Sequence, residues 1–303
     1  MTGPSTTPVR SRGPWELAWD RLRHDRVAKV CAATIVALVV IAILAPLVAL
    51  LTGHGPTQQY LEVGLSPEGI PTGPRRAFLR GTDGLGRDLL VRIAYGTRVS
   101  LLVGFLASGI AVVVGTAVGI AAGWHGGGVD RVLSRTMDVF LALPFLVFAL
   151  ALVAVVGPSL TISVTVIAMF SWASVARIVR AQTLSIRDNE FVQAARVLGA
   201  GNARIMVVEI LPNVTSSVIV YTTLLIPGAI VAEATLSFLG LSVVPPTPSW
   251  GNILADAMAY YRVAWWSRRG SSALIRFLGS PTGWWSWSRI WSWTCCRPCS
   301  IPA

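Results

Sequence analysis

Ionisable residues inside apolar stretches are where a chain of this kind could do chemistry, and they are few. Glu233 is the one ionisable residue in the apolar run 214–244. An acid at membrane depth is costly unless it faces protein or water. Two roles are open to it: a buried hydrogen bond that holds a helix broken at Pro227 and Gly228, or a place on the lining of a translocation path. A second group, Asp83, Arg87 and Asp88, lies in the string Gly81-Thr82-Asp83-Gly84-Leu85-Gly86-Arg87-Asp88. Its glycines permit a tight turn and its charges can pair locally, so a capped surface turn stands beside direct substrate contact as its use. His24, His54 and His125 and the four cysteines supply no pair at ligand spacing before the C-terminal tail, and no catalytic or metal site is expected. Cys295, Cys296 and Cys299 in that tail have no further ligands beside them. Lys29 is the only lysine, so the Gly-rich turn followed by lysine that cradles nucleotide phosphates is missing. No cofactor is expected on this chain, and any ATP must be bound by a different polypeptide.

These residues need apolar elements to position them. The 303 residues are 53% hydrophobic and 13% charged, against about 25% charged in a soluble domain, and the mean hydropathy is +0.64. This composition describes an integral membrane protein in a lipid bilayer, all-α. The net charge of +11 comes almost wholly from arginine. In such a chain arginine gathers at span ends and on the cytoplasmic side, so nucleic-acid binding is not implied.

Residues 1–29 carry five arginines and Lys29 against Glu16, Asp20 and Asp25, which places the N-terminus in the cytoplasm. No cleavable leader is expected, because the first apolar run is too long for one. Residues 30–52 are uncharged and long enough for a hydrocarbon core of about 30 Å. They form the first span, with Cys31 in its core and a kink at Pro46. Residues 53–98 form an extracytoplasmic segment, and a core of 99–265 follows. Within it the expected spans are 99–124, 139–158, 160–176 and 214–244. Gly115, Gly119 and Gly123 share one face of the second span and permit close helix approach.

The polar island 188–213 interrupts this pattern and reads as a helix-turn-helix elbow. Asp188 or Asn189 caps a helix running to Leu198, Gly199 and Gly201 stop it, and Asn202 caps a second short helix that Pro212 ends. Phe191 and Leu198 form an apolar ridge beside the low side made by Ala194 and Ala195, with Arg196 and Arg204 solvated. Such a surface suits a partner's groove. A secondary transporter or channel subunit without ATPase partners is the alternative; it would usually carry several intramembrane charges or an inverted repeat, and Glu233 is nearly alone.

The pattern Glu190-x-x-x-Ala194-Ala195-x-x-x-Gly199, followed by Ile205 and Leu211-Pro212-Asn213, resembles the cytoplasmic coupling loop of ABC-transporter permeases. The chain is most similar to the dipeptide, oligopeptide and nickel import subgroup, second permease subunit type. Gly81–Asp88, Gly-Gly-x-x-Asp130-Arg131, Ala232–Leu241 and Pro245–Gly251 resemble further signatures of that subgroup. Val208-Glu209 departs from it, standing where a basic residue and a histidine are usual. The resemblance covers about residues 30–265. It implies a non-enzymatic subunit that works with a sister permease, two ATP-binding subunits and an extracytoplasmic solute-binding protein to import peptides or nickel complexes. It further implies that Glu190, Phe191, Ala194, Ala195, Leu198, Gly199 and Gly201 couple to the ATPase.

The tail, 266–303, breaks the pattern. Seven of the twelve tryptophans and three of the four cysteines fall in Trp265–Ala303, and no Asp, Glu or Lys follows Asp256. The sixth span that the resemblance calls for is not supplied by these residues. A one-nucleotide reading-frame shift after about Trp266, in the gene or in the sequence record, is the reading taken for this, with an interfacial Trp/Arg-rich segment as the alternative. The codons of Ser288–Ala303 read one base earlier can encode an ending close to the Asn-Leu-x-x-Asp-x-Leu…Leu-Asp-Pro-Arg of that subgroup.

Overall fold

The computed structural model describes residues 26–260, and the tail expectation lies outside them. Among the described residues every named element is helical, and the only β features are the isolated bridges Leu65 to Pro71 and Thr82 to Asp88. Among these residues four helices are long and apolar enough to cross a membrane, and a bent pair would make a fifth span.

Helix α1, Arg26–Thr52, runs unbroken through Pro46, so the kink expected there does not end the helix. Its buried residues, Ala42 and Ala45, form a narrow stripe against one neighbouring helix. Cys31, expected in a core, is exposed, because α1 touches the rest of the chain along that stripe only. The segment between α1 and the next long helix folds into a compact cap with a single short helical turn, α2, Leu61–Gly64.

Helix α3, Leu89–His125, begins ten residues before the expected start of the second span, so the non-helical segment ahead of it ends at Asp88 and not at Arg98. Asp88 explains the difference: its Oδ1 accepts a hydrogen bond from Leu90 N at 2.9 Å and caps the helix at the first apolar residue. Thirty-seven residues give a rod of about 55 Å, well beyond a hydrocarbon core.

The expected third span, 139–158, is two helices. Helix α4, Gly127–Ala142, and helix α5, Phe145–Val156, meet at 85°. The break falls at Leu143-Pro144, where Leu143 has extended backbone (φ −75°, ψ 131°) as the proline ring after it demands. Phe145 and Phe148 of α5 pack on Phe170, with ring centroids 5.5 and 5.3 Å apart.

Helix α6, Leu160–Ile186, extends ten residues past the expected end of the fourth span. It lies along α3 through the glycine seam anticipated above. A Cβ placed on Gly115, Gly119 or Gly123 would stand 2.6 Å from Val175 Cβ, Ala176 O or Thr183 Cβ respectively, so nothing larger than glycine fits.

After α6 come helix α7, Glu190–Val197, a three-residue turn α8, Asn202–Arg204, a π-helical stretch Ile205–Ile210, and helix α9, Leu211–Phe238. The last three join into one path, Asn202–Phe238. Pro212 therefore does not end a short helix. It occupies the first turn of α9, where its missing N–H costs little, directly after the wider π turn. Pro227 and Gly228 lie inside α9 without breaking it, and the span closes at Phe238 rather than at Val244. Helix α10, Trp250–Tyr260, packs back against α9 and α3.

Candidate functional site

The elbow is built from backbone caps. The Asn189 carbonyl accepts from Val192 N and Gln193 N, each at 3.1 Å, so the start of α7 is held by main chain and neither Asp188 nor Asn189 caps it with a side chain. Asn202 likewise opens α8, with Gly201 in the capping position. At the other end of α7, Ala200 N donates to Ala195 O and Gly199 N to Arg196 O, both at 3.0 Å, with Gly199 at φ +82°. This is a Schellman end, in which the left-handed residue is glycine for lack of a Cβ.

The elbow has two faces. Inward, Val192, Ile205 and Ile210 are fully buried in a cluster with Ile120, Trp124, Val175, Val179 and Val214. Outward, Glu190, Phe191, Ala194, Leu198, Gly199 and Gly201 are exposed, and Ala195 is half-buried against the cluster. Val197 and Leu198 are each 87% exposed and Phe191 40%, an apolar patch with no cover among the described residues. The structure thus brings all seven expected coupling residues to one corner. Between α4 and α6, Asp130 Oδ1 accepts from Arg180 Nε and its Oδ2 from Arg180 Nη2 at 2.6 Å, and Asp138 Oδ1 accepts from Arg177 Nη2 at 2.6 Å.

At the opposite end of α3, the turn at Gly81–Asp88 divides its charges. Asp83 Oδ2 accepts from Arg87 Nε at 2.7 Å and from Arg92 Nη1, and Asp83 Oδ1 accepts from Leu85 N and Arg87 N at 3.0 and 2.9 Å. Arg87 and Arg92 also reach Asp256 of α10 at 3.0 and 3.2 Å. Asp83, Arg87 and Arg92 are buried. Asp88 stays out of this cluster: it caps α3 and pairs with His54 Nδ1 at 2.7 Å, a ring stacked on Phe78. Arg92 and Asp256 were not anticipated from sequence. Arg92 falls five residues after Arg87, in the otherwise apolar start of α3, which is the available signal; nothing local marks Asp256.

Between the two ends lies Glu233, fully buried on an unbroken α9, with Oε2 accepting from Ser100 Oγ of α3 at 2.7 Å. Next to it Trp250 Nε1 donates to Thr97 Oγ1 at 3.1 Å, Ser237 Oγ to Asn252 Oδ1 at 2.9 Å and Asn252 Nδ2 to Val243 O at 2.8 Å. The strings Ala232–Leu241 and Pro245–Gly251 are stitched together here, with Gly251 against the Ala234 carbonyl.

Residues 115–279 match the family described as binding-protein-dependent transport system inner membrane component, and residues 13–67 match the N-terminal transmembrane domain of oligopeptide transport permease C. A di/tripeptide transport system permease protein of Pseudomonas aeruginosa is 39% identical over 253 residues, 84% of this chain and 82% of that one. A dipeptide transport system permease protein of Haemophilus influenzae is 36% identical, covering 86% and 88%. A glutathione transport system permease protein of Escherichia coli is 36% identical, covering 84% and 82%. Among solved structures, an inward-facing conformation of the MetNI methionine ABC transporter matches with a TM-score of 0.52 at 16% identity, over 62% of this chain and 89% of that one. That likeness is one of fold.

Proposed function

Because the chain belongs to the family of binding-protein-dependent transport inner membrane components, we propose that it imports small peptides together with a sister permease, two ATP-binding subunits and an extracytoplasmic solute-binding protein. The observation that carries this reading is the two-faced elbow: Val192, Ile205 and Ile210 anchor it to the helices, while Phe191, Val197 and Leu198 remain open to a partner. In this reading the elbow faces the cytoplasm, the Gly81–Asp88 turn faces outward, and ATP is bound and hydrolysed by the partners alone. Closing of the ATPase pair would move the elbow, and α6 and α9, continuous with it on either side, would convert that shift into opening of the pathway.

Purification from native membranes tests the assembly: the ATP-binding subunits and the sister permease should accompany this chain. Uptake by the reconstituted complex of dipeptides, glutathione and nickel complexes then tests cargo, with dipeptides expected to be preferred. A chain that purifies alone while remaining folded would overturn the reading.

The reading-frame shift stays a proposal beside this one. The family match ends at residue 279, inside the segment after Trp266, and the densest run of Trp and Cys follows that point.

A further inference from the structure

Chain connectivity ties the elbow to α6 and α9, but the structure adds a third attachment, to α3, that connectivity does not require. The Arg196 guanidinium lies 4.7 Å from the centroid of the Trp124 ring. Trp124 is buried and is the last residue but one of α3. Arg187 Nη1 donates to Gly123 O at 3.2 Å, and Val192 is fully buried in the cluster that holds Ile120 and Trp124. A guanidinium over an indole face is directional, because its charge is drawn to the ring's negative face rather than to its edge. From Trp124 the α3 rod passes the glycine seam with α6 at Gly123, Gly119 and Gly115 and continues to Leu89, next to the Asp83, Arg87, Arg92 and Asp256 cluster.

We infer that Arg196 and Trp124 are positioning residues that pass displacement of the elbow into α3, so that α3 and α6 move as one body and the shift reaches the charged cluster at the far end. This rests on the permease reading above. Trp124 is buried, and Arg196, though exposed beside Val197, holds its guanidinium over the Trp124 ring, so the Trp124 variants separate transmission from docking at Phe191, Val197 and Leu198. At Gly115, Gly119 and Gly123 the α3 backbone lies directly against α6, with no α3 side chain between them.

The test uses the whole importer, with its ATPases and binding protein, in liposomes, carrying Trp124→Leu or Arg196→Ala. ATPase content and the rate of ATP hydrolysis should stay within about twofold of wild type, while dipeptide uptake per ATP hydrolysed falls at least tenfold. Trp124→Phe and Arg196→Lys, which keep a ring face and a cation, should restore most of the coupling. A role limited to stability would lower uptake and hydrolysis together, in proportion to folded complex, and that result overturns the inference, as does unchanged uptake per ATP. Failure of wild type to bring down any ATPase would instead overturn the permease reading itself.

Discussion

Gly199 carries a backbone conformation, φ +82°, that disfavours an L-residue by about 1–2 kcal/mol. Space is not the constraint there, since nothing lies within 4 Å of an added Cβ. Gly199→Leu therefore changes the shape of the elbow's end without disturbing the helices, and Ala195→Arg puts a charge at the edge of the buried cluster. Both should abolish transport and ATPase co-purification while leaving membrane content near wild type. Retained ATPases with normal substrate-stimulated hydrolysis would show that the elbow is not the coupling element. Ser100→Ala removes the hydrogen bond to Glu233 between α3 and α9, and interhelical bonds of this kind are worth about 0.6–1.7 kcal/mol. The loss should be measurable by denaturation in mixed micelles, and an unchanged stability would mean that the pair contributes nothing. At this scale the sequence showed that Glu233 was special, since a lone acid in an apolar run is conspicuous. It could not show Ser100 or Thr97 as parts of the polar network around it, or Asp256 as part of the charged cluster, because each partner is fixed by helix packing and lies far away along the chain.

Proline shows how much of the element scale was legible. Hydropathy reads Pro46, Pro144, Pro212 and Pro227 alike. Only Pro144, preceded by Leu143 with extended backbone, turns the chain, by 85°. Pro46 and Pro227 are carried inside their helices, and Pro212 follows a π turn. Whether a helix absorbs a proline depends on how neighbours satisfy the freed carbonyl, which a single sequence does not record. The glycine seam, in contrast, was readable, because spacing by four residues fixes a face whatever the neighbour. Gly119→Leu should force α3 and α6 apart, since its Cβ alone would overlap Ala176 O and Val179. We expect a sharp fall in folded protein recovered from membranes. Recovery equal to wild type would mean that the two helices do not rely on this contact. Gly109, on the same helix with open space around an added Cβ, is the matched control: Gly109→Leu should be tolerated.

For the molecule as a whole, the charged cluster at the end opposite the elbow is neutralised internally, two arginines by two aspartates, and is mostly buried. Substitutions across Gly81–Asp88 should therefore change the rate of uptake more than its preference, as read with a peptide panel against nickel. A switch of cargo from this turn alone would make it a substrate site. Resequencing the locus decides the tail: an intact frame through Ala303, with normal uptake by this polypeptide, would end the frameshift proposal. The cluster also sets an order of events during synthesis. Arg87 and Asp256 are 169 residues apart, so at about 5–20 residues per second the turn's second acidic partner emerges from the ribosome some 10–30 s after its first arginine. For that interval Asp83 must balance both Arg87 and Arg92 by itself, and the nascent chain needs either water or a chaperone at that corner until its last described helix arrives.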